Sequence, residues 1–202
     1  MNDVREIVLY FKEGCPLVPV DIAKSISDRF KEIGSPVVLT PETNSNQPLV
    51  IFKDNTEMML TVGQMTVNMV VQKKYFEKLD TIIFDLVDLF NDLKIEFVNI
   101  GVIYSLFFSE KHKELCMNKF LNVENLPNDF EEFNLAFFQK IKYKKDYLNC
   151  WERLVTNSEH FNELLVQFDI NCLAIEKVDI DMKFIKEFLK IIDEHIEERI
   201  DF

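Results

Sequence analysis

Two amphipathic stripes, each closing a run of short apolar segments, limit the folds open to this chain more than any other feature. Over Tyr75–Leu93, residues Tyr75, Leu79, Ile82, Ile83, Leu86, Phe90 and Leu93 recur at helical spacing. Over Met182–Ile200 the same holds for Phe184, Ile185, Phe188, Leu189, Ile192, Ile196 and Ile200. A helix with one apolar stripe must bury it against another layer, and the segments ahead of each stripe read as strands.

In the first half, Ile7–Phe11 is a short strand ended by the turn signal Glu13-Gly14-Cys15-Pro16. A helix over Val20–Ile33 follows, with Gly34 as its stop signal, and Val37–Leu39 is extended. Beyond the polar loop Pro41–Pro48, a meander of Leu49–Phe52, Met58–Val62 and Met65–Val71 leads into the first long helix. The second half repeats the order. Ile95–Phe108 is a strand broken or bulged at Gly101, and Ser109 caps a helix to about Phe120. Leu121–Glu132 connects to strands Phe133–Lys144, Leu148–Thr156 and Phe161–Leu173 before the terminal helix. The expected class is α+β, a mostly antiparallel sheet packed by two long helices. Residues 1–93 and 94–202 would be its two halves, within one compact structural unit, and tandem duplication or coincidence would each explain the repeated order.

Three segments carry a resemblance: Phe52–Asn68 (FKDNTEMMLTVGQMTVN), Ile100-Gly101-Val102-Ile103-Tyr104 and Phe168-Asp169-Ile170-Asn171 before a closing helix. Together they resemble a sporadically distributed family of uncharacterised bacterial proteins. The chain departs from that family at Ile103 and Leu106, where members often carry Arg and Asn. The resemblance implies an α+β shape and an association with defence or toxin–antitoxin loci, and it transfers no catalytic residue.

Composition excludes several function classes. Gly14, Gly34, Gly63 and Gly101 lie too far apart for a phosphate-cradling loop, so nucleotide-binding motifs are absent. The net charge is −12 and is spread along the chain: nine Lys and Arg stand against fourteen Asp and Glu over residues 1–93. Such a field opposes nucleic acid and anionic membranes and favours a protein partner with a basic surface. Cys15, Cys116, Cys150 and Cys172 form no CxxC pair, the start lacks a signal-peptide pattern, and no apolar stretch reaches a membrane-spanning length. The expected location is the cytoplasm, with free thiols and no cofactor.

Two acidic groups are candidate sites. Asp85, Asp88 and Asp92 share one face of the first long helix, where a divalent metal or acid–base chemistry would need them, though a solvated face explains them too. Glu194, Glu197, Glu198 and Asp201 crowd the end of the terminal helix, where negative charge opposes the helix dipole and suits a basic partner. Lys140, Lys142, Lys144 and Lys145 form the one basic run, read as the solvent face of an edge strand with Ile141 and Tyr143 packed behind it. Cys150 with His160 is one of several Cys–His pairings, and Trp151 reads as a core anchor. The leading expectation is a non-enzymatic, acidic protein-binding module of antitoxin, immunity, phage-defence or anti-defence type, the last by mimicry of DNA charge, able to self-associate. A small-molecule or peptide pocket and a cryptic metal-dependent enzyme are the alternatives.

Overall fold

The computed structural model describes residues 3–30, 34–39, 49–54, 58–108, 134–156 and 164–200. Their order is β1 (Asp3–Phe11), α1 (Pro19–Arg29), β2 (Pro36–Val38), β3 (Val50–Asp54), β4 (Met58–Val62), β5 (Thr66–Gln72), a 3-10 segment (Lys73–Lys78), α2 (Leu79–Asp92), β6 (Phe97–Phe108), β7 (Asn134–Tyr143), β8 (Asp146–Thr156), β9 (Leu164–Asn171) and α3 (Met182–Ile200). The class is α+β. All nine strands join one antiparallel sheet in the order β2-β3-β4-β5-β1-β6-β9-β8-β7.

That order is mirrored about the central β1–β6 pair. Outward on one side run β5, β4 and β3; outward on the other run β9, β8 and β7, each set a meander that returns to the middle. The central pair extends along all of β1, from Asp3 opposite Leu106 to Phe11 opposite Phe97. The first-half and second-half strands therefore share one continuous ladder.

Alternation along each strand sends one set of side chains to the helices and the other to the opposite face. Phe52, Leu60, Met69, Ile7, Val102, Ile170 and Cys150 are buried on the helix side. They join Ile22 and Ile26 of α1, Ile83 and Phe90 of α2, and Phe188 and Ile192 of α3 in one core cluster. Phe11, Phe90 and Phe97 knit β1, α2 and β6 with ring centroids 4.9 to 5.3 Å apart.

Several boundaries differ from the sequence expectation. α1 ends at Arg29, with Phe30 as its non-helical cap, short of the expected Ile33. The first long helix is α-helical only from Leu79; Tyr75 belongs to the 3-10 segment, a tighter turn continuing directly from β5. β5 begins at Thr66, and Val67 and Met69 share its buried face while Met65 lies outside it, exposed. β6 runs unbroken through Gly101, and its irregularity against β1 falls at Tyr10/Phe11 instead. Gly101 serves close packing: a Cβ there would stand 3.3 Å from the Asn171 Cβ on β9. The turn between β7 and β8 is Lys144-Lys145, with Lys144 at φ +52. α3 keeps its expected span and is capped by Asp181, whose Oδ1 accepts from the Phe184 N–H at 2.6 Å. The expected helix over Ser109–Phe120, its connector and the Pro41–Pro48 loop lie outside the described residues. Among the described residues no helix is long and apolar enough to cross a membrane.

Candidate functional site

Two groups of side chains merit weighing as a site, one on each face of β8. On the helix face, Cys150 and Glu152 point at α3. Glu152 is 1% exposed, and its carboxylate accepts from Arg199 Nε at 2.9 Å and Nη2 at 2.6 Å. Gln139 also donates to it, and His195 Nε2 lies 3.6 Å from Oε1. Burial drives this carboxyl upward, but the hydrogen bonds and charges of His195 and Arg199 outweigh burial and hold it below its ordinary value.

Cys150 Sγ lies 3.9 Å from the same His195 Nε2. A nucleophilic pair needs the base to face the thiol with one ring nitrogen and an orienting acid with the other. Here one nitrogen faces Cys150, Glu152 and Gln139 together. The thiol is fully buried and pushed up to about 12, first by burial and then by the Glu152 charge. Cys150, Glu152 and His195 have donor atoms within 4.8 Å of one another, yet Arg199 already holds both Glu152 oxygens. The guanidinium is the cation of this cluster. Its action is to pin α3, as does Arg5 on β1, which reaches Asp193 of α3 at 2.5 Å beneath the Phe76 ring at 4.1 Å.

The opposite face of the sheet carries the other group. From the β7–β8 register, Asn134, Ala136, Phe138, Lys140 and Lys142 share that face with Tyr147, Asn149, Trp151, Arg153 and Val155. These ten side chains hold three aromatics and three cations, and no carboxylate. Phe138, Tyr147 and Trp151 are 47%, 47% and 48% exposed. The Phe138 and Trp151 rings lie 5.0 Å apart, tilted by 53°, and Lys140 Nζ stands 5.9 Å from the Tyr147 ring centroid.

Toward the middle of the same face the charge reverses. Asp169 on β9 neighbours Trp151, and Glu6 on β1 lies beyond Ile103 in the same cross-sheet row. Burial, then the Asp169 charge, raises the Glu6 carboxyl; burial, Asp169 and Glu6 raise the Tyr10 phenol. Asn68 Nδ2 donates to Glu6 Oε1 at 3.3 Å. An anionic centre thus borders a cationic, aromatic outer patch.

Of the residues singled out from sequence, Glu194, Glu197 and Glu198 line one open hollow beside Ile200, while the aspartates of α2 meet different surroundings. Asp88 of α2 is bound to Arg29 of α1 at 2.6 Å; Asp85 is half-buried and Asp92 is exposed. Glu194, Glu197 and Glu198 are exposed on α3, where Glu194 meets Lys190 at 3.5 Å, and Asp201 lies outside the described residues. Lys140 and Lys142 do face away from the helices, with Tyr143 buried behind them, whereas Lys144 turns to Glu187 at 2.5 Å. His160 lies outside the described residues, and the histidine beside Cys150 is His195. Trp151 is no core anchor: the inward members of its strand are Leu148, Cys150, Glu152 and Leu154. The period-two signal was present, but a charged Glu152 on the inner side and a tryptophan on the outer side hid which set faced the core. No protein-family model matches this chain, and no curated protein matches it.

Proposed function

We propose that this chain is a cytoplasmic protein-binding module without reaction chemistry of its own, docking a partner through the face of the sheet that the described helices leave uncovered. One observation carries the reading: Phe138 and Trp151 stand half-exposed side by side on two paired strands, with Tyr147 half-exposed two rows along the same face. Trp, Tyr and Arg dominate the energetics of protein interfaces, and presenting them on a sheet lowers the ordering cost of binding. The buried, elevated Cys150 thiol and the Arg199-neutralised Glu152 favour this over an enzyme. Occlusion of a partner is how an antitoxin, immunity or anti-defence protein acts, the setting that the family resemblance implies. The mirrored strand order is what duplication of a strand–helix–strands–helix unit would leave behind.

Affinity capture from native cells with the tagged chain and its Trp151→Ala variant tests the reading. A stoichiometric protein retained by the former and lost by the latter is expected. Equal retention by both would move the docking site off this face, and recovery of no stoichiometric partner would end the reading. A second surface is favoured by the exposure of Glu194, Glu197 and Glu198 on one helix. A partner with a basic surface would meet them there, and charge reversal at Glu197 and Glu198 would then abolish capture that Trp151→Ala leaves intact.

A further inference from the structure

We infer that the β7–β8 face receives an acidic, apolar-bearing segment of a partner protein. Partner carboxylates meet Lys140, Lys142 and Arg153 while apolar side chains seat against Phe138, Tyr147 and Trp151. This rests on the protein-binding reading of that face and adds the chemistry of the partner.

Charge complementarity favours this occupant. The chain carries 35 acidic against 23 basic residues, so an outer face with three cations and no carboxylate runs against its composition. Elsewhere Lys12, Lys73, Lys144, Lys186 and Lys190 each reach a carboxylate at 2.5 to 3.7 Å. Among the described residues Lys140, Lys142 and Arg153 reach none. Lys24, Lys94 and Lys177 reach no described carboxylate either, so what distinguishes these three is that they share one face with no carboxylate among them, leaving a local charge for a ligand to balance.

The neighbouring residues set where that ligand lies. Asp169 and the half-buried Glu6 repel anions from the middle of the sheet, confining an acidic segment to the outer two strands and aligning it with them. From Lys142 to Ala136, opposite Arg153, is about 20 Å of strand, the reach of about six extended residues. Only every second side chain of such a segment faces the patch, so positions i, i+2 and i+4 must carry carboxylate and apolar groups in the order in which Arg153, the Phe138–Trp151 rings and the lysines follow one another. Aromatics among cations also suit single-stranded nucleic acid. A polynucleotide, however, carries its charge at every residue and would run off this short patch onto the acidic remainder of a chain with net charge −12.

The chain contains one tryptophan, and it is Trp151, so its emission reports this face directly. The full chain would be titrated with three probes: an extended peptide in which every second residue reads Glu, Leu, Glu, Leu with Ser between them, its counterpart with Lys in place of Glu, and an oligothymidylate. The expected result is a saturable blue shift with the Glu peptide alone. That shift should weaken about tenfold in the double variant Lys140→Glu/Lys142→Glu and also in about 1 M salt, where charges are screened beyond about 3 Å. Both lysines are exposed, and circular dichroism of the variant verifies its fold. Saturation by the Lys peptide alone would overturn the acidic partner while leaving a protein-binding face. Saturation by oligothymidylate alone would overturn both readings. Silence from all three probes to about 1 mM, the weak limit of specific recognition, would overturn this inference and leave the capture experiment to judge the other.

Discussion

Lys94 occupies a position that chemistry reserves for glycine. It follows α2 with φ +63, its N–H donates to the Asn91 carbonyl at 2.9 Å, and the Ile95 N–H reaches the Phe90 carbonyl at 2.9 Å. That pair of bonds is a Schellman ending, and a Cβ at its left-handed residue is strained. Lys94→Gly should therefore stabilise the chain by about 0.5 kcal/mol, relief of strain exceeding the added freedom of the unfolded chain. Chemical denaturation would measure it, and a loss of stability would show that the lysine side chain makes contacts outweighing its backbone. This ending was only partly legible in the sequence. The apolar stripe marked where α2 must stop, but Lys gave no signal of a left-handed turn, because tertiary packing of Ile95 and Phe90 imposes it.

Among the ion pairs that hold α3, two have their sheet member buried and are of opposite sense. A sheet cation, Arg5, meets a helix anion, Asp193; a sheet anion, Glu152, meets a helix cation, Arg199. Sliding the helix along the sheet would break both and leave charges buried, so together they fix its register. Glu152→Gln should destabilise the fold by about 2–3 kcal/mol near neutrality. The pH dependence follows from the lowered Glu152 carboxyl: its contribution is complete above the ordinary carboxylate range and is lost as pH falls through the lowered value. Glu6 has the opposite sign, its raised carboxyl contributing at low pH and ceasing to as pH rises through that raised value. Thermal melts of wild type and Glu152→Gln across the acidic range should converge, the gap between them closing as pH falls. A gap independent of pH would mean that the carboxylate is not what holds the helix. The stripe of α3 was plain in the sequence, whereas this latch was not, since Arg5, Glu152, Asp193 and Arg199 come from three separate stretches of the chain.

At the scale of the whole molecule, the decisive contact is the β1–β6 pairing, which joins the first-half and second-half strands into one sheet. Residues 1–93 alone would present β1 with an open edge, and residues 94–202 alone would present β6 likewise, each flanked by apolar surface. The halves should aggregate when expressed separately and co-purify when expressed together with one tag. Two soluble, monomeric halves would argue against a single folding unit. The recurrence of elements was readable from hydrophobic periodicity. The strand order was not, because nothing local distinguishes a central strand such as β6 from an edge strand such as β7 before both are placed.

Along β8 two duties alternate residue by residue. Leu148, Cys150, Glu152 and Leu154 keep the chain folded, while Tyr147, Asn149, Trp151 and Arg153 answer to the outside. On the binding reading proposed above, mutations in the second set would rewrite what is recognised at little cost to folding, and those in the first would reshape folding without altering recognition. Such a strand would let the outward side chains drift freely on a frame that stays still.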